Sequence, residues 1–526
     1  MAVPPAASPD GETPGSTRAG DGWYPHYALG VLVVVYVLNF LDRQILSILN
    51  ERIRADLGLS DSQMGFLFGT AFAVFYALFG IPLGRLADVW TRRSLIAVGL
   101  AFWSAMTACS GFARGFGTLA AARIGVGVGE ASASPAAFSL LSDWYPPARR
   151  ATVFAIYSSG IYIGAGLGLM LGGQIVDRWD AAFVGAATPW GLRGWQVAFL
   201  VVGLPGLLVA AWTRSLREPL REGTAKAAPV SPGAEFFREL RAVLPPLTLW
   251  TAATEGGRGA LARNVAAAIP IAIPAWLLAA ATSDAAQWSA VGVGVYAATS
   301  WVQALSRRDP ATAREILHVR TLRRAAAGFG FLAFTGYSVG YWAAPWFMRV
   351  RGIPASEVGF TVGGIAAVAG WLGVNAGGAL ADVLRQRDVR GRLWTGMLVA
   401  CATPPLVAAV LASSSNAVAF VIVAPLMFVS SAWIGAGIAC VHDLVPPALR
   451  GSAGAVYLLV ITFIGLALGP YVVGRLSQVL GSLGSALMAG SLIGDGFGLV
   501  FLAAACLSIG EDQRRADARS APLPPR

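Results

Sequence analysis

Long apolar runs separated by short polar stretches dominate the sequence. The first run extends from Tyr27 to about Asn50, and five more follow near 62–86, 94–113, 116–140, 151–176 and 194–213. After a mixed middle region, six further runs lie near 324–348, 357–381, 393–412, 417–441, 451–475 and 485–507. Each run has about the 20 residues that a helix needs to cross a bilayer, and open strands do not survive in lipid. The pattern predicts an all-α polytopic membrane protein with two six-helix halves.

The composition excludes an ordinary soluble protein. Of the 526 residues, 56% are hydrophobic and only 13% are charged, and the mean hydropathy is +0.62. The net charge of +11 would suggest nucleic acid as a partner of a soluble domain. Here the arginines lie in short loops between apolar runs, so the charge indicates membrane orientation and no nucleic-acid partner is expected.

The chain divides into two bundles, two tails and a central segment. The central segment contains two apolar runs separated by Ser283-Asp284-Ala285, with arginines on both outer flanks. They are predicted to form an extra pair of spans, with a re-entrant or surface hairpin as the alternative. The predicted division is a disordered tail at 1–22, the N-terminal bundle at 23–213, the linker at 214–323 with its hairpin at 264–282 and 286–305, the C-terminal bundle at 324–507 and a tail at 508–526.

The positions of the arginines predict the orientation of the chain. Arginines of cytoplasmic loops outnumber those of the opposite loops in membrane proteins. The loops on one side carry most of them, whereas acids accompany Arg52, Arg54 and Arg178 on the other side, where Arg349 also lies. We expect an inner-membrane protein with both termini in the cytoplasm. The arginines on the predicted cytoplasmic side are Arg92, Arg93, Arg149, Arg150, the cluster at 385–392, Arg450, Arg514 and Arg515.

An internal repeat relates the two halves. The string Gly58-Leu-Ser-Asp-Ser-Gln-Met-Gly-Phe66 returns as Gly352-Ile-Pro-Ala-Ser-Glu-Val-Gly-Phe360, at a shift of 294 residues. The string Asp143-x-x-Pro-Pro-Ala-x-Arg150 returns as Asp443-x-x-Pro-Pro-Ala-x-Arg450, at a shift of 300. Ordered matches at a near-constant shift indicate a parallel duplication, with the halves related by an axis along the membrane normal.

A glycine, acid and arginine string joins the second and third spans. It reads Gly84-Arg-Leu-Ala-Asp88-Val-Trp-Thr-Arg92-Arg93, and part of it returns at Gly378-Ala-Leu-Ala-Asp382. Glycine permits close helix contact, and an aspartate can meet the positive N-terminal end of a neighbouring helix. We interpret Gly84, Arg85, Asp88, Arg92, Arg93 and Asp382 as a latch that closes the cytoplasmic side. The alternative is a charge cluster that only sets orientation.

The latch string resembles the loop signature of the major facilitator superfamily. Three further strings resemble the Spinster-like branch of that family: Asn39-Phe-Leu-Asp-Arg43, Ala101-Phe-Trp-Ser104 and Arg123-Ile-Gly-Val-Gly-Val-Gly-Glu-Ala-Ser132. The resemblance implies a transporter whose halves alternate around a central cavity. It also implies a lipid-like amphiphile, such as a lysophospholipid or sphingoid phosphate, as the substrate. The central hairpin departs from the twelve-span plan of the family.

Four ionisable residues within the first and fourth spans are the candidates for proton coupling. Each charge costs about 2.5–3.5 kcal/mol at a helix centre, so we expect Asp42, Arg43, Arg123 and Glu130 to be functional or paired. Arg123 and Glu130 are seven residues apart and therefore share a helix face. A static pair of Asp42 with Arg123 is the alternative. The second copy does not keep these charges, which favours a titrating role over a scaffolding one.

The remaining candidates line the predicted cavity. Aromatic and neutral side chains in the C-terminal half, opposite the charged wall, suit a substrate with a polar head and an apolar tail. Packing at helix interfaces is the alternative for each of them. The predicted cavity residues are Asn39, Tyr337, Tyr341, Trp342, Asn375, Ser430, Ser431 and Tyr457.

No motif indicates an enzyme. The four cysteines lie singly in apolar runs, and no metal-ligand cluster, catalytic triad or phosphate-binding glycine loop with lysine occurs. We expect no cofactor and no metal. The predicted protein is a monomeric, proton-coupled secondary transporter in contact with membrane lipids. An organic-anion or drug porter of the same architecture and a non-transporting lipid receptor remain alternatives.

Overall fold

The computed structural model describes residues 22–184, 186–219, 231–446 and 449–520. Of the predicted N-terminal tail, only Gly22 lies within these ranges. Throughout the described residues the regular structure is helical, with no strand. Within these ranges, twelve helical segments are long and apolar enough to cross a membrane; they include Leu247–Thr282 and leave out Arg320–Arg351. The predicted fold class is therefore confirmed.

The N-terminal half forms six spans, of which the second and fourth are interrupted. Asp61–Phe68 and Thr70–Val89 make the second span, and Phe116–Glu130 and Ala133–Trp144 make the fourth. Ser60 caps the second span, because its hydroxyl accepts a hydrogen bond from the backbone of Gln63. The helices are α1 (Tyr24–Leu57), α2 (Asp61–Phe68), α3 (Thr70–Val89), α4 (Arg92–Ser110), α5 (Phe116–Glu130), α6 (Ala133–Trp144), α7 (Pro147–Ala182) and α8 (Gly194–Arg214).

The central segment contains the predicted hairpin and two short helices. The first hairpin helix starts earlier than predicted, at Leu247, and Gly257 interrupts it with a positive φ of 69°. This helix is apolar enough to span, and its most apolar stretch is not buried by the rest of the chain. The helices are α9 (Pro232–Val243), α10 (Leu247–Thr282), α11 (Ala285–Arg308) and α12 (Pro310–Leu317).

The C-terminal half repeats the arrangement of the first. Its fifth span contains a π-helical stretch, Thr462–Leu468, between two α-helices. A helix also covers most of the predicted C-terminal tail, where Asp512 accepts a hydrogen bond from the backbone of Thr321 at 2.8 Å. The helices are α13 (Arg320–Arg351), α14 (Ala355–Arg387), α15 (Gly391–Ala412), α16 (Asn416–Ser431), α17 (Trp433–Asp443), α18 (Arg450–Ile461), α19 (Gly469–Leu480), α20 (Leu483–Cys506) and α21 (Ile509–Ser520).

The repeat strings occupy equivalent structural positions. Gly58 and Gly352 both terminate the first helix of their half in the left-handed conformation, with φ values of 63° and 67°. Such a C-cap favours glycine, which explains why this residue recurs in both copies. The fourth span of each half also breaks at matching sites, after Glu130 and after Ser431.

The two ends of the bundle differ in charge. We call the end that carries Arg92, Arg385, Arg392 and Arg450 the basic end, and the other the opposite end. Arg52, Arg54 and Arg349 of the opposite end each pair with acids there.

The halves close on each other at the opposite end. A Cβ added to Gly65 would lie 2.4 Å from the carbonyl oxygen of Pro470, and one added to Gly359 would lie 2.3 Å from that of Leu169. Glycine is needed at both positions because the backbones of the two halves touch. Ser47 also donates a hydrogen bond to the carbonyl of Tyr341 across the interface, at 2.5 Å. Access to the middle of the bundle from this end is therefore blocked.

Candidate functional site: a buried charge cluster between the halves

Alternating glycines in α5 bring the charged residues into the interior. A Cβ on Gly127 would lie 2.5 Å from the carbonyl oxygen of Phe72, and one on Gly129 would lie 2.8 Å from the Cβ of Trp103. The helix can therefore pack tightly between α3 and α4. This placement leaves Arg123 and Glu130 0% and 1% exposed.

Arg43 and Glu130 form the central ion pair. The Nε of Arg43 donates to Oε2 of Glu130 at 2.6 Å, and the glutamate side chain is completely buried. The guanidinium also lies 4.4–4.8 Å from the ring centroids of Phe40, Phe72 and Tyr76. Aromatic faces stabilise a desolvated guanidinium, so these three rings offset part of the desolvation cost of Arg43.

Arg123 lies beside this pair without a carboxylate partner. Its Nη1 is 3.4 Å from the backbone carbonyl oxygen of Asp42, and no carboxylate oxygen of a described residue lies within 4.0 Å of its guanidinium. Its Nε and Nη2 have no hydrogen-bond partner among the described residues, nor have Oδ1 of Asp42 and Oε1 of Glu130. The predicted alternative of a static Asp42–Arg123 side-chain pair is not present in this conformation.

Unsatisfied buried groups make the cluster energetically unusual. Each unpaired buried polar group costs about 1–3 kcal/mol, and more when it is charged. Arg43 bonds to Glu130, and Arg123 lies near both Asp42 and Glu130. Small side-chain movements can therefore exchange partners, and an added proton or an anionic ligand changes which arrangement is the more stable.

Asn39 and Tyr337 are the predicted cavity residues closest to the charges. Asn39 is buried beside Glu130, and half-buried Tyr337 lies near Arg43 in the facing half. Ser430 is also half-buried, and its backbone approaches Gly336, the residue before Tyr337. Asn39 and Tyr337 thus lie near the ion pair on opposite sides of the interface between the halves.

Other predicted cavity residues have packing roles in this conformation. Tyr341 is fully buried, and its hydroxyl accepts from Asn50 at 2.6 Å and donates to the carbonyl of Met64 at 3.2 Å. Trp342 donates to the carbonyl of Pro470 at 2.8 Å, within the C-terminal half. Tyr457 is buried against Phe329.

The last two predicted cavity residues lie on neighbouring helices. Ser431 donates to the carbonyl of Gly370 at 3.0 Å and is buried. Asn375 is exposed, and its side chain bonds to the carbonyl of Trp371 on its own helix. Of the predicted cavity residues, Asn375 is thus the most exposed in this conformation.

Sequence reasoning missed the tyrosines around the charge cluster. Tyr36 stacks on Tyr157 with ring centroids 4.3 Å apart, and Tyr76 contacts Arg43. Tyr36 precedes Asn39 by three residues and Arg43 by seven, which places all three on one helix face. This spacing is the sequence feature that could have identified Tyr36.

A further acid, Asp495, lies buried in α20 of the C-terminal half. It is 2% exposed and accepts a hydrogen bond from Ser491 at 3.1 Å. The four charges predicted within spans all lie in the N-terminal half, so Asp495 was not among them. Asp495 lies within a predicted span, and the free-energy cost of a charge there is the sequence feature that could have identified it.

Among the described residues, the predicted latch residues pair within their own half or with the adjoining linker, and not with the other half. Arg92 is buried and bonds to Asp143 at 2.5 Å and Glu218 at 2.8 Å, while the backbone of Arg93 also bonds to Glu218. Arg85 pairs with Asp88 at 3.5 Å, and Asp382 pairs with Arg392 at 3.4 Å. No atom lies within 4 Å of a Cβ added to Gly84, so this glycine makes no close helix contact.

Among the ion pairs of the described residues, only those of Arg349 join the two six-helix halves. The ion pairs that join the two halves therefore lie at the opposite end.

Two duplicated six-helix halves, closed at one end around a central polar cluster, define a membrane transporter of the alternating type. The family model described as Major Facilitator Superfamily matches residues 32–470. The chain belongs to this superfamily, and its homology extends to the Spinster transporters.

The similarity to one solved structure covers nearly the whole chain. That protein is a bacterial homolog of the human lysosomal transporter Spinster, in an inward-facing and unoccupied conformation. The match has a TM-score of 0.68 and 26% identity, over 96% of this chain and 100% of the other. The predicted resemblance to the Spinster-like branch is thereby confirmed.

Relatives with described roles are diverse. An MFS-type efflux pump of Mycolicibacterium smegmatis is 26% identical over 86% of this chain and 84% of its own length. Protein spinster of Drosophila melanogaster is 23% identical over 86% of this chain and 62% of its own length. A hexuronate transporter of Bacillus subtilis is 31% identical, but over only 40% of this chain and 49% of its own length.

Proposed function

We propose that the protein is a proton-coupled secondary transporter that moves an amphiphilic, lipid-like solute by alternating access. The observation that carries this proposal is the buried Arg43–Glu130 pair beside Arg123, which has no carboxylate partner. Burying these charges within the membrane costs free energy, and ionisable residues at that depth typically mark substrate or proton pathways.

Coupling follows from competition for two arginines. Protonation of Glu130 neutralises the acceptor of Arg43 and weakens the charge-assisted bond between them. The freed guanidinium and Arg123 can then bind an anionic head group. Deprotonation of Glu130 would restore the pair and favour release of the anion. Asp42 is the second acid within reach of Arg123 and can exchange partners with it.

The substrate class is proposed from the chemistry of the walls. Arg43 and Arg123 supply cationic donors for a phosphate or carboxylate, while the rings around them offer apolar contact for a chain. A lysophospholipid or a sphingoid phosphate has both features. The resemblance of the strings at 39–43, 101–104 and 123–132 to the Spinster-like branch implies the same class.

Transport by a Glu130→Gln variant tests the coupling. In proteoliposomes with an imposed pH gradient, the variant should still equilibrate a lysophospholipid but should not accumulate it. Asp495→Asn is the matched control, because it also neutralises a buried acid but lies outside the cluster. Accumulation by Glu130→Gln equal to that of the wild type would refute the assigned proton role.

A small organic anion is the second candidate substrate. Buried Arg123 and partly buried Arg43 suit a sugar acid, and the hexuronate transporter is a partial relative. Uptake should be measured for glucuronate and for lysophosphatidate of two chain lengths. Transport of glucuronate together with rejection of both lipids would favour the organic-anion porter. Binding of lipid without movement under any gradient would favour a receptor.

The proposed location is the inner membrane, with the basic end and both termini in the cytoplasm. The arginines of the basic end support this orientation. The contacts within one chain complete both halves, so we propose a monomer. Labelling of single cysteines at Ser414 and Arg387 in intact cells tests the orientation, since only the first should react with an impermeant reagent.

A further inference from the structure

The tip of the central hairpin lies in contact with both halves at the opposite end. Asp284, in the turn between α10 and α11, accepts a hydrogen bond from Ser62 of the N-terminal half at 3.2 Å. Its other carboxylate oxygen accepts from the hydroxyl of Tyr471, in the C-terminal half, at 2.9 Å. One carboxylate of the insertion therefore joins two bodies that must separate when this end opens.

A second junction lies one turn further along α11. The hydroxyl of Thr70, in the N-terminal half, is 2.7 Å from the side-chain oxygen of Gln287 and 2.6 Å from the carbonyl oxygen of Ala467. Gln287 is 1% exposed, and Ala467 belongs to the π-helical stretch of the C-terminal half. Trp288 also packs edge-on against Tyr471, with ring centroids 5.7 Å apart.

Away from the tip, the hairpin covers the seam between the halves. Ala297 of α11 packs in one apolar cluster with Val74 and Leu78 of α3, Val243 of α9 and Phe463 of the C-terminal half. Helix α3 packs against both α9 and α11. Most of this contact is with the N-terminal half, so the hairpin should remain attached to it when the halves move.

We propose that the hairpin is a clasp that holds the opposite end closed, through the hydrogen bond between Asp284 and Tyr471. The hairpin stays on the N-terminal half, and Tyr471 is released when the opposite end opens. The clasp thus favours the conformation that is open at the basic end. This inference rests on the proposed alternation of the two halves.

The test measures the conformational equilibrium directly, without a substrate. Spin labels at Val184 and Ser414, both exposed at the opposite end in different halves, report its opening by their distance distribution. The four native cysteines are replaced beforehand. Tyr471→Phe keeps the ring and removes only the hydroxyl. We expect it to raise the ratio of long to short distances by about tenfold. This fold-change corresponds to the free energy of one hydrogen bond to a charged acceptor.

Three further variants separate the clasp from general damage. Asp284→Ala should give a similar shift, and the double variant should show no larger shift than either single one, because both remove the same bond. Ser62→Ala is the matched control, since it removes the contact of Asp284 with the N-terminal half and leaves Tyr471 in place. It should change the ratio by less than about twofold.

The outcomes distinguish the clasp from the alternation itself. An unchanged ratio in both Tyr471→Phe and Asp284→Ala, in a wild type that populates long distances at some pH, overturns the clasp alone. Absence of long distances in every variant and at every pH overturns both the clasp and alternating access. Additive shifts in the double variant also contradict a single shared bond.

Discussion

Arg349 of α13 holds Asp61 of α2 through two parallel hydrogen bonds, at 2.7 and 2.8 Å, across the interface between the halves. The same guanidinium also bonds to Glu51, with a closest distance of 2.7 Å. A bidentate arginine between two acids is among the stronger polar contacts available to a protein. This contact and the proposed hairpin clasp lie at the same end, so both oppose its opening.

Loss of this contact should shift the protein towards the conformation that is open at the opposite end. We expect Arg349→Gln to raise the reaction rate of a cysteine placed at Asn50, which is fully buried at that closed interface, by about tenfold or more. Arg193→Gln is the control, because Arg193 pairs with Asp56 of its own half at the same end. Equal rates with and without Arg349→Gln would show that the contact of Arg349 with Asp61 and Glu51 does not hold this end closed.

Close packing at Gly127 should be essential for the charge cluster. Gly127→Ala would push a methyl group against the backbone of Phe72, and we expect it to lower the free energy of unfolding by about 1–3 kcal/mol. Gly117→Ala in the same helix meets nothing within 4 Å and should be neutral or slightly stabilising. Thermal unfolding in detergent measures both. A pair of equal melting temperatures would show that α5 can move away from α3.

The planar shape of Arg43 should matter as well as its charge. Arg43→Lys keeps the cation, but it loses the stacking on Phe40, Phe72 and Tyr76. We expect a loss of about 1–2 kcal/mol in ligand affinity, measured by titration of a lysophospholipid in detergent. Arg85→Lys, at an exposed site, is the control. Wild-type affinity in Arg43→Lys would show that a point charge is sufficient.

The latch residue Asp88 should act only in the other conformation. Asp88 is exposed and pairs with Arg85 within its own half, so Asp88→Asn should leave the melting temperature of the present state unchanged. If the residue stabilises the state closed at the basic end, transport should fall several-fold. Glu511→Gln, which removes an exposed acid at the same end, is the control. Normal transport by Asp88→Asn would leave only an orientation role for the string.

Side-chain roles were harder to predict than spans. Tyr341 and Trp342 looked like cavity residues because both are amphipathic and lie in one span, yet their polar atoms bond to Met64 and Pro470. An aromatic residue with a polar tip serves equally at a cavity surface and at a helix interface. Only the packing of the neighbouring helices decides which role applies.

The sequence by itself determined the spans, the duplication and the four charges of the central cluster, because apolar length and the cost of charge in lipid are local properties of the chain. The tertiary structure alone decided that Glu130 pairs with Arg43 and that Asp284 meets Tyr471. These partners are 87 and 187 residues apart, and their meeting depends on how rigid helices pack. The order of residues along a span fixes a face, whereas the helix that comes to lie against that face depends on the whole bundle.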